Sequence, residues 1–312
     1  MSGFLKSVLG KAATSAPGTF KIAEAPATIS YTLASFRWHM DTRTPVKAIA
    51  IHDYLGSCAS WQQLLHEPAA DFPLLRHTPS DPLEVYCADL RGHNFSEGAP
   101  MTSASVFPLA CAADVLKMQA DVLRCEAPLV GWGFGSLVAA CAALHVPDAF
   151  STLTLFVKDL AEVQECKPSS YTVAEVIRQA PRGAKSLAEL NTYLQEKIPS
   201  ATERASLLST VEVRNGVCRF RFHKELLEQK ETFFLQAPAE SKFQKPTTIY
   251  IYGRGGRSAR EAEAAVRVRF PAANILQLDT KGEVAPLDAI PVVPLVLQSC
   301  GLLGQINEGS QA

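Results

Sequence analysis

Five residues, Gly131-Trp132-Gly133-Phe134-Gly135, join a β-rich run to a helix-forming one. A central residue flanked by glycines suits a sharp strand-to-helix turn that lifts the central side chain clear of the backbone. A serine there becomes an exposed nucleophile. Here the centre is Gly133, which has nothing to attack with. Glycine does tolerate the backbone angles of such a turn, where a serine stores strain of about 1–3 kcal/mol. A glycine-rich turn after a strand also cradles pyrophosphate in the pattern G-x-G-x-x-G. The third glycine of that pattern is Ser136 here, and no early strand precedes it in the usual order. Ser136 is a poor substitute nucleophile, because further into the helix its side chain turns away from the elbow.

A hydroxyl nucleophile needs a base, and the chain has no histidine after His223. His52 and His93 follow β-rich runs and read as loop-packing residues. His39, His66, His77, His145 and His223 are isolated, without ligand spacing. The eight cysteines, Cys58, Cys87, Cys111, Cys125, Cys141, Cys166, Cys218 and Cys300, form no C-x-x-C pair and no zinc pattern. They read as small buried thiols of a reducing compartment rather than a disulfide framework. No metal and no cofactor is expected.

The 312 residues are 47% hydrophobic and 20% charged, with a net charge of −1. That supports a sizeable core and supplies no basic excess, so direct nucleic-acid readout is not expected. Residues 127–147 are long and uncharged enough to raise a membrane span, but Gly131, Gly133 and Gly135 interrupt them. They read as a buried strand, a tight turn and a buried helix. Residues 291–307 are shorter, carry two prolines and read as a core helix. No transmembrane segment is expected. Residues 1–23 carry Lys6, Lys11 and Lys21 and no acid, with Phe4, Leu5, Val8, Leu9 and Ala12 at helical spacing. A basic amphipathic start of this kind reads as a mitochondrial targeting segment, although it has no arginine; a plain tail on a cytoplasmic protein is the alternative.

Short apolar β-rich runs fall at 46–52, 83–88, 128–132, 152–157, 247–252 and 274–278. Helical patterns lie at 60–66, 108–124, 136–144, 260–270 and 287–303. The alternation predicts a mostly parallel sheet covered by helices on both faces, an α/β class, with antiparallel edge strands within 27–39. Residues 160–244 break the alternation with polar, mostly helical patterns. They read as an inserted helical cap between a core of 27–159 and its continuation at 245–312, after an N-terminal segment of 1–26.

Six segments in order resemble the α/β-hydrolase superfamily, specifically its small acyl-esterase branch. His52-Asp53-Tyr54-Leu55-Gly56-Ser57 resembles the H-G-x-x-G-S oxyanion segment, and Asp89-Leu90-Arg91-Gly92-His93-Asn94-Phe95-Ser96 resembles D-x-R-x-H-G-x-S. The elbow is residues 131–135. Asp159-Leu160-Ala161-Glu162-Val163 resembles the D-I-A-P-V that supplies the acid in this branch. Gly255-Gly256-Arg257-Ser258 resembles G-G-N-S, and Phe270-Pro271 with Thr280-Lys281-Gly282-Glu283 resembles the closing F-P and G-A-G-H. The resemblance implies an α/β-hydrolase fold over residues 46–303, apart from the cap.

The departures bear on function. The glycine after His52 is Asp53, placing a bulky anion in the oxyanion segment, and the loop glycine is Asn94. The nucleophile position is Gly133 and the histidine position is Glu283, while Asp159 and Ser258 persist. Losing such a unit costs about a millionfold in turnover. The expectation is therefore a chain that is not an enzyme: a pseudo-hydrolase acting as a structural or interaction subunit with protein partners, in a large mitochondrial assembly. Two alternatives stay open. One is a binding module that holds a small apolar or acyl ligand in the former pocket, at Asp53, Tyr54, Gly133, Phe134 and Ser258. The other is a hydrolase with rebuilt catalytic residues. Tyr171, Tyr193, Phe220, Phe222, Phe233 and Phe234 make the cap the candidate interface.

Overall fold

A computed structural model describes residues 26–36, 43–66, 81–96, 103–167, 171–181, 183–199, 201–253, 259–278 and 292–302. A seven-stranded sheet is built from β1 (Tyr31–Phe36), β2 (Val46–Ile51), β3 (Leu83–Ala88), β4 (Ala127–Trp132), β5 (Phe150–Val157), β10 (Thr247–Ile251) and β11 (Ala273–Gln277). Its order is β1-β3-β2-β4-β5-β10-β11. β1 runs antiparallel to β3, and the remaining pairs are parallel. The predicted strands coincide with six of these to within two residues at either end, because a parallel sheet buried on both faces demands uninterrupted apolar runs.

The two faces are separate cores, set by the alternation of side chains along each strand. Ile49 and Ile51 of β2 point to one core, with Leu129, Leu153, Leu155 and Ile249. Ala48 and Ala50 point to the other, with Val130, Trp132, Phe156 and Tyr250. The first core is covered by α2 (Phe107–Met118) and α3 (Phe134–His145), the second by α1 (Cys58–His66) and α9 (Val292–Ser299). Every residue of α3 from Phe134 to Leu144 is buried, which explains the uncharged stretch at 127–147 as a strand, a turn and a core helix. Among the described residues no helix is long and apolar enough to cross a membrane. α2 continues through a π-helical turn, Gln119–Leu123, into Arg124 with left-handed backbone. α8 (Ala259–Arg269) joins β10 to β11.

Between β5 and β10 lie α4 (Tyr171–Gln179), α5 (Leu187–Gln195), α6 (Ala201–Ser209) and the short α7 (Lys224–Glu228). This insertion also contains two small antiparallel sheets, β6 (Glu165–Cys166) with β9 (Phe233–Phe234) and β7 (Val211–Arg214) with β8 (Val217–Phe220). The helical pattern alone does not reveal these pairs, two of whose strands are only two residues long. Phe233 is buried in the first core, Phe234 is exposed, and Tyr193, Phe220 and Phe222 pack partly buried against the core. All eight cysteines are free, and six are buried.

Candidate functional site

The carboxyl ends of β2, β4 and β5 converge on the Gly133 turn. Gly133 has φ 53° and ψ −119°, a conformation that side chains resist, and its N–H donates to Phe156 O at 2.9 Å. Its neighbours are glycines for a different reason, close packing. A Cβ at Gly131 would lie 2.5 Å from Gly135 O, and one at Gly135 would lie 2.5 Å from both Ile51 O and His52 O. The elbow therefore keeps its backbone shape without its nucleophile. Ser136 is buried, and its hydroxyl is committed to Phe156 O at 3.0 Å, the carbonyl that also accepts the Gly133 N–H.

The space above Gly133 is filled by Asp53. A Cβ added at Gly133 would fall on Asp53 Oδ1 and Cγ, with Oδ2 2.7 Å away. Asp53 Oδ1 accepts two backbone hydrogen bonds, from Tyr54 N at 2.8 Å and from Phe134 N at 2.7 Å. Phe134 is the first residue of α3, so the second donor is an N–H that the helix leaves unpaired, at the positive end of its dipole. Two converging N–H groups beside an elbow form an oxyanion hole. Here the occupant is the chain's own carboxylate. Asp53 Oδ2 accepts no hydrogen bond among the described residues.

Two histidines hold this segment in place. Leu90 N donates to His52 Nε2 at 3.0 Å and Leu55 N donates to His93 Nε2 at 3.2 Å. Each Nε2 must accept, which places the ring proton on Nδ1. His52 Nδ1 then donates to Asp53 O at 2.6 Å and His93 Nδ1 donates to Arg91 O at 3.0 Å. Burial pushes His52 down to about 4 and His93 down to about 3, so both are neutral at pH 7. With both nitrogens engaged, they are supports rather than bases. Leu55 (φ 57°) and Asn94 (φ 47°) have left-handed backbone beside the site. Asn94 stands where the family has glycine and is tolerated because its side chain is used. Its Nδ2 donates to Asp89 Oδ2 at 3.0 Å, and its Oδ1 accepts from Arg221 Nη1 at 3.1 Å. Asp89 Oδ1 accepts from Cys58 N, the first N–H of α1, and Arg91 forms a buried ion pair with Asp114 at 2.6 Å. The D-x-R residues are thus framework.

Two further carboxylates follow β5. Asp159 Oδ1 accepts from Ala161 N at 2.9 Å, capping the single 3₁₀ turn Leu160–Val163. Glu162 Oε2 accepts from Lys158 N at 2.7 Å. Burial raises Asp53 to about 6 against the pull of its two N–H donors. Burial raises Glu162 to about 7, opposed by the Lys158 N–H and reinforced by the negative charges of Asp53 and Asp159. Tyr252 is pushed well up by burial and then by the Asp53 and Glu162 charges, and the Cys166 thiol is raised by the same causes. Burial thus brings two carboxyls, Asp53 and Glu162, towards neutrality, the range in which acid–base chemistry works. Among the described residues no group of three or more His, Cys, Asp or Glu is placed to hold a metal ion.

The cap closes over this end of the sheet through backbone contacts. His223 N donates to Gly92 O, Asn94 N donates to Arg221 O, and Tyr54 Oη donates to Leu226 O at 2.8 Å. Tyr54, Phe107, Phe134 and Phe233 form one cluster with ring centroids 4.7–5.8 Å apart. Of the residues singled out from sequence, Asp53, Tyr54, Gly133 and Phe134 thus meet at one point, with Asp53 turned to Gly133 and the rings of Tyr54 and Phe134 buried together. Asp159 follows β5 nearby. Ser258, Glu283 and residues 1–25 lie outside the described residues. Glu162 was missed. Its signal was the acidic residue three positions after Asp159, in a motif otherwise apolar there.

No protein-family model matches the sequence, and no curated protein does. Solved structures do. The chain is similar to a marine microorganism esterase at 15% identity and TM-score 0.63, covering 87% of this chain and 98% of that one. It is similar to an E-2-(acetamidomethylene)succinate hydrolase at 18% identity and TM-score 0.57, covering 86% and 93%. A thioesterase domain from the curacin biosynthetic pathway matches at 18% identity and TM-score 0.54, covering 87% and 99%. The expectation that the chain is not an enzyme is overturned by these matches, whose architecture belongs to an esterase, a hydrolase and a thioesterase. Its physical basis was also too narrow. It rested on two positions, Gly133 and Glu283, and left the Asp53 carboxylate beside Gly133 out of account.

Proposed function

We propose that this chain, which has the α/β-hydrolase fold, is a hydrolytic enzyme with a rebuilt centre in which the Asp53 carboxylate replaces the missing hydroxyl. The observation that carries the reading is the position of that carboxylate. Its Oδ1, anchored by the Tyr54 and Phe134 N–H groups, lies where an elbow side chain would project, and Oδ2 accepts no hydrogen bond among the described residues. Glu162, raised to about 7, is the second member, able to take a proton from water and return it to a leaving group. His52 acts through Asp53 as a positioning residue, since its Nδ1–H fixes the Asp53 carbonyl.

The test is a panel of esters, thioesters, amides, epoxides and alkyl halides presented to the full-length protein, to Asp53→Asn and to Glu162→Gln. Turnover of at least one class is expected, falling by about 10²-fold or more in each variant with the fold retained. Turnover no faster than that of Asp53→Asn across the panel would sink the reading.

A further inference from the structure

The hairpin of β7 and β8 turns one face to the core and the other to solvent. Val211 and Cys218 are buried in the first core. Phe220 and Phe222 pack against it, their rings nearly parallel with centroids 6.4 Å apart. Alternation along the strands then puts Glu212, Arg214, Val217, Arg219 and Arg221 on the outward face. Arg219 and Arg221 are two residues apart on one strand. Arg214 pairs with Val217, which makes it the diagonal neighbour of Arg219. Both steps are about 7 Å, so the three arginines are rooted in an evenly spaced row.

The charge of this row is not neutralised. Among the described residues Arg214 and Arg219 have no ion-pair or hydrogen-bonding partner. Arg221 Nη1 donates to Asn94 Oδ1 at 3.1 Å, and its guanidinium lies 4.0 Å above the Phe95 ring. Glu212, opposite Arg219, is the one acid between Thr210 and Phe222. Phe95 remains 64% exposed, more than any other large hydrophobic side chain among the described residues. The net charge of −1 over the whole chain conceals this local excess.

A row of exposed guanidinium groups calls for a ligand with regularly repeated negative charge, and an exposed ring at its end calls for a flat apolar group. Single-stranded nucleic acid offers both, phosphates along its backbone and a π-face on every base, without any match of sequence. An acidic peptide supplies the charges but leaves Phe95 without a partner. We infer that Arg214, Arg219, Arg221 and Phe95 form a face that binds single-stranded nucleic acid, its phosphates on the arginines and one base stacked on Phe95. The face lies on the side of the hairpin away from Phe222, whose ring meets His93 5.8 Å away. It is therefore separate from the Gly133 turn, and the inference does not rest on hydrolytic activity.

The experiment is fluorescence anisotropy of labelled oligouridylate and oligothymidylate, each of about 12 nucleotides, with the full-length protein between about 50 and 200 mM salt. The expected result is binding of a single strand whose log K falls with log salt at a slope of about −2, three contacts at about 0.7 each. Arg219→Gln should weaken binding and make the slope shallower by about 0.7. Phe95→Ala should weaken binding by about 5-fold or more. The substituted side chains are exposed, and urea midpoints check that each variant folds. No binding of either strand at the lowest salt, or binding unchanged in both variants, overturns the inference. So does a polyglutamate peptide that binds as tightly as the oligonucleotides and is indifferent to Phe95→Ala, which would make the face an acidic-peptide site. Binding to phosphatidylglycerol vesicles but to neither oligonucleotide would assign it to a membrane surface instead.

Discussion

Asp53→Asn should make the protein more stable at neutral pH while removing the carboxylate proposed to react. The folded chain raises the Asp53 carboxyl from its ordinary 3.8 to about 6, because burial outweighs the two N–H donors. Between about pH 4 and pH 6 the folded state therefore keeps a proton that the unfolded state releases. Stability falls as pH rises through that window, and the whole cost is present above it. A shift of about 2 units corresponds to about 3 kcal/mol, an upper bound because partial solvent contact screens it. Asparagine keeps an oxygen for Tyr54 N and Phe134 N and carries no charge to desolvate. Urea unfolding of both proteins at pH 7.5 and pH 4 measures the difference. A gain of about 1–3 kcal/mol is expected at pH 7.5, shrinking to well under about 1 kcal/mol at pH 4, where the folded carboxyl is protonated and the unfolded one is nearly half so. A gain independent of pH, or a loss at pH 7.5, would refute the placement of a desolvated charge in the N–H pair.

Gly133→Ser should destabilise by about 1–3 kcal/mol or more, from left-handed backbone strain and from overlap with the Asp53 carboxylate. Asp53→Gly combined with Gly133→Ser should recover the overlap share, so a double-mutant cycle by urea unfolding should give a coupling of at least about 1 kcal/mol; additive effects would contradict the contact. Activity should rise with pH through about 6 and 7, the values at which Asp53 and Glu162 ionise, and a profile flat from pH 5 to 8 would count against both assignments. Tyr54→Phe leaves the Leu226 carbonyl without that donor and should cost about 1–2 kcal/mol, read as faster limited proteolysis within the cap; unchanged cleavage would mean that this bond does not hold the cap down. Residues 1–23 should carry a fluorescent reporter into mitochondria and fail to do so after Lys6→Glu with Lys11→Glu, whereas cytosolic fluorescence from the unaltered segment would reduce it to a tail.

The sequence by itself determined the fold class, the strand sites, the glycine at 133 and the absence of any histidine after His223. Those features are written in local signals: apolar runs of strand length, helical periodicity, and the identity of residues at fixed offsets within short motifs. It also carried, unread, a pair of linked departures. Asp53 stands where the resembled motif has glycine, and Gly133 stands where it has a side chain, 80 residues apart. Read separately, one looked like a bulky intruder and the other like an erased nucleophile. Only the tertiary structure showed that the two positions meet, because parallel β2 and β4 lie side by side and end at the same edge, where the Asp53 side chain enters the space Gly133 leaves. His52 and His93 were legible as loop-packing residues, but their tautomers were not, since these depend on backbone N–H groups from other loops that reach their Nε2 atoms. Nor was the Glu162 carboxylate, whose raised value arises from burial and from negative charges brought close by folding. Local pattern specifies elements because propensity and periodicity act over a few residues. Reactivity is set by desolvation and by contacts between distant segments, and those exist only once the chain is packed.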